Sequence, residues 1–358
     1  MIETAFWKNR RVFITGHTGF KGSWLGLLLH ALGAEVTGYA QRPPTDPSLF
    51  EIANVRSMAR TVFADIRDLE ILQKSLIPPS PEIVIHLAAQ ALVRESYAHP
   101  LETFSTNIMG SANILEAVRG CPSVRAVIIV TTDKCYENKE WIWSYRENDP
   151  LGGFDPYASS KACSEMVTAA YRNSFFSPEA YQSHKVALAT ARAGNVIGGG
   201  DWARDRLIPD CIRAAMKKEK INIRNPQAVR PWQHVLEPLT GYLMLAEKLC
   251  QKGPLFGEAW NFGPRPEDAK PVAWIARKIS DQFGSSLAFP KTAERKKLHE
   301  ASALRLDSAK ARQVLGWHPK WNLEKAVDRT AVWYKAYRDA RNMRKFCNQQ
   351  IEEYLADE

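Results

Sequence analysis

Arg11-Val12-Phe13-Ile14-Thr15-Gly16-His17-Thr18-Gly19-Phe20-Lys21-Gly22 is a short apolar run that ends in glycines at G-x-x-G-x-x-G spacing. Residues 23–32 then have helical character, so the glycines fall between a predicted strand and a predicted helix. Glycine permits the tight turn and the close approach of backbone amides to a pyrophosphate, whose charge the helix N-terminus favours. Glycines also mark ordinary turns, so the spacing alone is weak. Its strand-turn-helix setting is what favours a dinucleotide, with Gly16, Thr18, Gly19, Phe20 and Gly22 as the cradle.

Outward from this turn, residues 35–40 read as a second strand and 82–87 as a later one. Residues 124–131 form a β-branched run of the kind found in fully buried parallel strands. Helical stretches at 68–75 and 107–119 lie between them. This alternation predicts an α/β fold, a doubly wound parallel (Rossmann) sheet. A helix carrying Lys161 extends to about residue 173, and 185–192 returns as a strand. Pro and Gly punctuate 194–209, 225–231 and 253–271, which predicts a smaller α/β substrate-binding lobe assembled from several excursions. The expected division is 1–192 as the nucleotide-binding domain, with a returning segment at about 228–262, and 193–227 with 263–350 as the lobe. Residues 290–306 read as a loop with one short strand, 308–315 as an exposed helix, and 323–354 as helical and highly charged.

Bulk composition excludes several classes. The 358 residues, 45% hydrophobic and 24% charged, describe an ordinary globular protein larger than one usual domain. No run approaches the roughly 20 apolar residues of a membrane span. Glu3, just ahead of an early strand, argues against a signal peptide, so a cytoplasmic protein without a membrane partner is expected. Six cysteines with no C-x-x-C pair argue against a structural zinc or a disulfide framework, and no metal is expected. The net charge of +9 is divided among short runs at 216–220, 294–297 and 341–345. These read as solvated helix faces rather than a nucleic-acid track, and an anionic small substrate suits the charge equally well.

Two catalytic devices stand close in sequence. Tyr157 precedes Lys161 by one helical turn at a helix start after Asp155-Pro156, where i and i+4 side chains share a face. A tyrosine with its solution pKa near 10 is too weak a base at neutral pH, and a nearby ammonium favours the phenolate. Tyr181 and Lys185 repeat the spacing, but in a polar stretch entering a strand, where they need not share a face. Thr132-Asp133-Lys134 follows the buried run: a threonine can orient a hydroxyl, and an acid can expel a second one. In extended backbone Asp133 and Lys134 point to opposite sides. Lys134 reads as a neutral base, a charged enolate stabiliser or a solvent-facing strand-end lysine.

Cofactor choice stays open at this level. An NAD site usually carries an acid about 20 residues after the glycines. Here Tyr39-Ala40-Gln41-Arg42-Pro43 occupies that region, and Arg42 suits a 2′-phosphate as well as it suits a surface loop. Asp65-Ile66-Arg67-Asp68 follows a short strand at the expected adenine edge, with a helix cap as the alternative for Asp68.

The glycine turn, Asp65, Leu87-Ala88-Ala89-Gln90, Asn107, Thr132 and Tyr157-Ala158-Ser159-Ser160-Lys161 together resemble the extended short-chain dehydrogenase/reductase family. Asp133 resembles the acid of its nucleotide-sugar 4,6-dehydratases, where typical epimerases have a small residue. Thr131-Thr132-Asp133-Lys134-Cys135-Tyr136-Glu137-Asn138 resembles the branch acting on CDP-glucose, since the dTDP and GDP branches have Glu in place of Lys134. The stretches 192–202, 230–235 and 306–317 resemble that branch too. The resemblance implies tightly held NAD, CDP-glucose as the small-molecule partner, and a homodimer or dimer of dimers. It also implies cofactor contacts from Asp65, Ile66, Leu87, Ala88, Ala89 and Asn107, and Lys161 at the nicotinamide ribose. Substrate contacts would come from Asn195, Arg230 and His299, with Arg204, Arg206 and Arg224 as further guanidinium candidates for the pyrophosphate. Trp202 and Trp232 read either as packing on the base or as core. The alternatives are an epimerase or decarboxylase of the same family, which would not need Asp133, and a non-catalytic NAD-binding regulator, which would not need Thr132, Tyr157 and Lys161 together.

Overall fold

The computed structural model describes residues 1–223, 225–288 and 303–357. Its strands in chain order are β1 (Arg11–Thr15), β2 (Glu35–Ala40), β3 (Arg60–Phe63), β4 (Ile83–His86), β5 (Ala126–Val130), β6 (Ala187–Ala193), β7 (Asn195–Ile197), β8 (Ile221–Asn222), β9 (Val229–His234), β10 (Ala259–Phe262), β11 (Ala269–Pro271) and β12 (Leu287–Ala288). The helices of eight residues or more are α1 (Phe20–Ala31), α2 (Leu69–Leu76), α3 (Gly110–Arg119), α4 (Pro156–Ser174), α5 (Leu207–Met216), α6 (Leu236–Lys252), α7 (Val272–Phe283), α8 (Leu323–Arg338) and α9 (Met343–Ala356).

The main sheet has seven strands in the order β10-β6-β5-β4-β1-β2-β3, every pair parallel. A parallel sheet must be covered on both faces, and its central β5, Ala126-Val127-Ile128-Ile129-Val130, accordingly reads as an unbroken apolar run. Val12, Ile14, Ile85 and Ile128 face one core with Trp24 and Leu28 of α1 and Leu239 and Leu243 of α6. Phe13, Val84, Val127 and Ile129 face the other with Leu72 of α2 and Leu115 and Val118 of α3. Chain order reverses between β1 and β4, which opens a crevice at the carboxyl edge where ligands bind in such sheets. Smaller sheets, β11-β9-β7 and β12-β8, flank that edge.

Three elements differ from the sequence reading. β10 lies inside the Pro- and Gly-punctuated stretch read as irregular; four residues between Gly257 and Gly263 carry too little periodicity to announce a strand. Residues 308–315 are amphipathic rather than exposed, because Ser308, Ala311 and Leu315 are buried. The charged ending divides into α8 and α9, which bury Trp333, Tyr334 and Tyr354 on their inner faces. The loop expected at 290–306 and the basic run at 294–297 fall largely or wholly outside the described residues.

α9 packs against α1 and is tied in by one buried carboxylate. Glu237, in the first turn of α6, accepts from Lys320 N at 3.0 Å, Trp321 N at 2.7 Å and Tyr354 OH at 2.6 Å. Burial pushes Glu237 up to about 7, against those hydrogen bonds and the charge of Lys320. Among the described residues no helix is long and apolar enough to cross a membrane.

Candidate active site

β1 delivers the chain to Gly16 at φ 75°, where a side chain's Cβ would lie 2.7 Å from Ala88 N. At Gly22 a Cβ would lie 2.2 Å from Gly16 O, so the turn closes only without side chains. Gly19 caps α1, whose first turn therefore opens toward the crevice. Thr15 Oγ1 accepts from Leu87 N and Ala88 N, both at 3.1 Å, which pins the turn to the exit of β4. Gly16, Thr18, Gly19, Phe20, Gly22, Arg42, Asp65, Ile66, Leu87, Ala88 and Ala89 line one cleft of about 1890 Å3. A single drug-sized ligand occupies roughly 300–1,000 Å3, so the cleft has room for a dinucleotide and a second ligand.

Asp65 accepts from Arg67 at 2.6 Å and from Gln41 at 2.7 Å, and the Arg67 hydrogen bond holds its carboxyl below the usual range. Asp68 is the cap of α2, accepting from Ile71 N at 3.0 Å, as its alternative reading had it. Arg42 extends over the Phe63 ring at 5.6 Å. Asn107 departs from expectation: it does not line the cleft. Its amide accepts from Gln90 N at 2.8 Å and donates to Gln90 O at 3.0 Å and Ser160 Oγ at 2.8 Å. It ties the loop after β4 to α4 from behind.

α4 begins with Pro156 in its first turn and with Asp155 accepting from Ala158 N at 2.9 Å. This start sets Tyr157 and Lys161 on one buried face. Burial pushes Tyr157 up to about 12; the Thr132 hydrogen bond and the Arg206 charge pull it down, while Asp133 and Asp155 push it up. Burial also brings Lys161 down to about 8, against Glu165 and Cys135. Lys161 Nζ donates to Val130 O at 3.2 Å, and Arg206 is a cation whose charge lowers Tyr157. Tyr181 and Lys185 lie outside the cleft, in a single helical turn, Tyr181–His184, that leads into β6, and the Lys185 ammonium sits 5.9 Å over the Tyr181 ring.

Asp133 and Lys134 correct the extended-backbone expectation. Asp133–Cys135 is a 3-10 turn, which brings Lys134 Nζ to 3.6 Å from Asp133 Oδ1. Lys134 lines the cleft with its side chain 29% exposed, whereas the Asp133 side chain is 1% exposed and stands just behind the wall. Thr132 Oγ1 donates to Asp133 Oδ1 at 3.0 Å. Asp133 Oδ2 is buried without a hydrogen-bond partner. The Thr132 hydroxyl thus holds the acid, and Thr132 also lowers the Tyr157 phenol.

Among the substrate candidates, Asn195 opens β7 with its Oδ1 buried and unpartnered. Arg204, Arg206 and Arg230 line the cleft. Arg206 pairs with Asp201 at 3.1 Å, and Arg230 donates to Val229 O at 2.9 Å. Arg224 and His299 lie outside the described residues. Trp202 stands edge-on to Tyr334 at 5.2 Å, and Trp232 donates to Lys270 O at 2.9 Å; both border the cleft from the core. Sequence reasoning passed over Lys21, which lines the cleft and donates to Tyr242 OH at 3.2 Å. Burial, then the charges of Arg206 and Lys161, bring it down to about 7, against Asp133. The available signal was a lysine inside an otherwise uncharged glycine turn.

The family profile described as GDP-mannose 4,6 dehydratase matches residues 13–330. The CDP-glucose 4,6-dehydratase of Salmonella typhimurium is 51% identical over 356 residues, covering 99% of each chain. The UDP-glucose 4-epimerase of Halalkalibacterium halodurans is 25% identical over 91% of this chain and 96% of its own. Among solved structures, the dTDP-glucose 4,6-dehydratase of Streptomyces venezuelae superposes with a TM-score of 0.77 at 23% identity, covering 92% of this chain and 98% of that one. Matching along nearly its whole length, the chain belongs to the GDP-mannose 4,6-dehydratase family of extended short-chain dehydrogenases/reductases.

Proposed function

We propose that this protein is a CDP-glucose 4,6-dehydratase, which uses NAD to convert CDP-glucose to CDP-4-keto-6-deoxyglucose with loss of water. The observation that carries the reading is the buried Asp133 carboxyl held by the Thr132 hydroxyl at 3.0 Å, next to the cleft-lining Tyr157 and Lys134. An epimerase has no need of an acid there. The whole-length similarity to the Salmonella typhimurium enzyme supports the choice of substrate. The side-chain-free turn between Gly16 and Gly22, open to the first turn of α1, fits a dinucleotide. The Streptomyces venezuelae dehydratase has been solved with NAD bound.

NAD, when bound, supplies the hydride acceptor and later the hydride donor. Tyr157 removes the proton of the C4 hydroxyl, which Thr132 orients. The Lys161 ammonium supports the ribose beside it. A ketone at C4 acidifies the C5 proton, so elimination becomes feasible. Asp133 protonates the departing C6 hydroxyl. Lys134 faces the cleft with Nζ 3.6 Å from Asp133 Oδ1 and takes the C5 proton as the C6 hydroxyl leaves, returning it to C5 when hydride comes back to C6. Asn195, Arg204, Arg206 and Arg230, together with Arg224 and His299, serve the nucleotide sugar. Residues 1–192 with about 228–262 hold NAD, and 193–227 with 263–350 form the substrate lobe. The protein works as a homodimer or dimer of dimers in the cytoplasm, with no nucleic-acid or membrane partner.

Incubation with CDP-, UDP-, dTDP- and GDP-glucose, read by mass and NMR, tests the reading. Loss of one water from CDP-glucose ahead of the others is expected. An isobaric new sugar would make the protein an epimerase, and no turnover with any hexose would leave a regulator.

A further inference from the structure

The turn that carries Asp133 is held at both ends by one buried ion pair that the chemistry above does not use. Glu165 and Arg192 meet at 2.9 Å, each side chain 3% exposed. Glu165 lies on α4 one turn beyond Lys161, on the buried face shared with Tyr157. Glu165 Oε1 accepts from Thr131 Oγ1, and Oε2 accepts from Thr190 Oγ1 at 2.6 Å. Arg192 Nη1 donates to Tyr136 OH at 2.8 Å and to Glu147 O at 3.0 Å, with the guanidinium 4.9 Å over the Tyr136 ring. Tyr136 OH donates onward to Asn261 Oδ1 at 2.7 Å. Thr131 and Tyr136 bracket Thr132, Asp133 and Lys134. One carboxylate therefore holds the first residue of the segment directly and the last through a guanidinium, while Lys161 holds the carbonyl just before it at 3.2 Å. Burial would raise Glu165, but the Arg192 charge and the hydrogen bonds from Arg192, Thr131 and Thr190 outweigh it and hold the carboxyl below its ordinary range.

A buried ion pair adds little net stability, because desolvation offsets the attraction, so its contribution here is geometric. We propose that Glu165, acting through Thr131 and Arg192, is a positioning residue for the elimination step. It fixes residues 131–136 so that Asp133 meets the departing hydroxyl while Tyr157 and Lys161 act on the other one. The inference rests on the dehydratase reading above.

Thr131→Val is the sharpest probe, since it keeps the shape and the ion pair and removes one hydroxyl; Thr131→Ser restores that hydroxyl. With NAD and CDP-glucose, single-turnover reduction of the nicotinamide in Thr131→Val should stay within about threefold of wild type, while water loss slows about ten- to a hundredfold. Thr131→Ser should return water loss to near the wild-type rate. Backbone amides of residues 132–136 should exchange hydrogen faster in Thr131→Val, and those of residues 12–15 should not. Glu165→Gln should shift the same partition further; if it does not fold, Thr131→Val alone decides. Equal slowing of both steps, or unchanged exchange at 132–136, overturns the proposal. Absence of water loss in the wild type would sink the dehydratase reading instead, and the exchange result would still decide whether the ion pair holds the turn.

Discussion

Thr132 is the residue at which the two halves of the chemistry meet. Its hydroxyl donates to Asp133 at 3.0 Å, and Thr132 also favours the Tyr157 phenolate, so a change at this residue bears on both proton-transfer groups. Burial resists ionisation of Tyr157, and Asp133 keeps Oδ2 buried with no hydrogen-bond partner among the described residues, an acceptor left for a group that is not part of the chain. Asp133→Asn should leave C4 oxidation close to wild type and cut water loss by about 10²- to 10⁴-fold, the range for general acid catalysis. Rapid-quench product analysis beside nicotinamide absorbance reads both, and unchanged water loss would remove Asp133 from the acid role.

At the scale of elements, α4 acts as a ruler, with Tyr157, Lys161 and Glu165 at successive four-residue steps on its buried face. The first addresses a hydroxyl, the second the end of β5, and the third the turn after β5. α6 carries a different burden. Its Glu237 sits in a first turn, where the helix dipole favours an acid, yet burial wins and brings the group to about 7. A carboxyl raised above its unfolded value contributes stability that is fully present below the unfolded pKa and is lost as pH rises through about 7. Denaturant melts of wild type should therefore weaken between roughly pH 4.5 and 7, by on the order of 3 kcal/mol. Glu237→Gln should flatten that dependence; a slope equal to the wild type's would assign it to other groups. The elements themselves were largely legible. β1, β4 and β5 announce themselves because buried parallel strands are largely apolar runs, and α4 because Asp155-Pro156 is a helix start. β10 was not, because its four residues include Asn261 and lie in a stretch punctuated by Gly and Pro, and neither was the turn at Asp133–Cys135, which the Thr132 cap and the ion pair behind it hold. Asn107 braces the loop after β4, a service to neighbouring backbone that its sequence setting does not distinguish from a ligand contact.

Across the whole molecule, the site is the seam where strand order reverses, and pieces far apart in sequence converge on it. Asp65, after β3, and Arg42, after β2, line the same cleft, and Arg67 holds Asp65 ionised. Arg42, the side chain that would suit a 2′-phosphate, lies over the Phe63 ring at 5.6 Å. Enzyme stripped of cofactor should regain activity with NAD better than with NADP; an equal or greater response to NADP would reverse the assignment and return Arg42 to the phosphate.

The latch on Glu237 has a consequence in time. Tyr354, which hydrogen-bonds it at 2.6 Å, follows it by 117 residues. At about 5–20 residues per second, a ribosome needs roughly 6 to 23 seconds to make that stretch. Throughout that interval a nascent chain holds the carboxylate of α6 without Tyr354, and for most of it without Lys320 and Trp321 as well. Closure of the core around α6 is thus a late event of synthesis, even though most strands of the sheet are made long before.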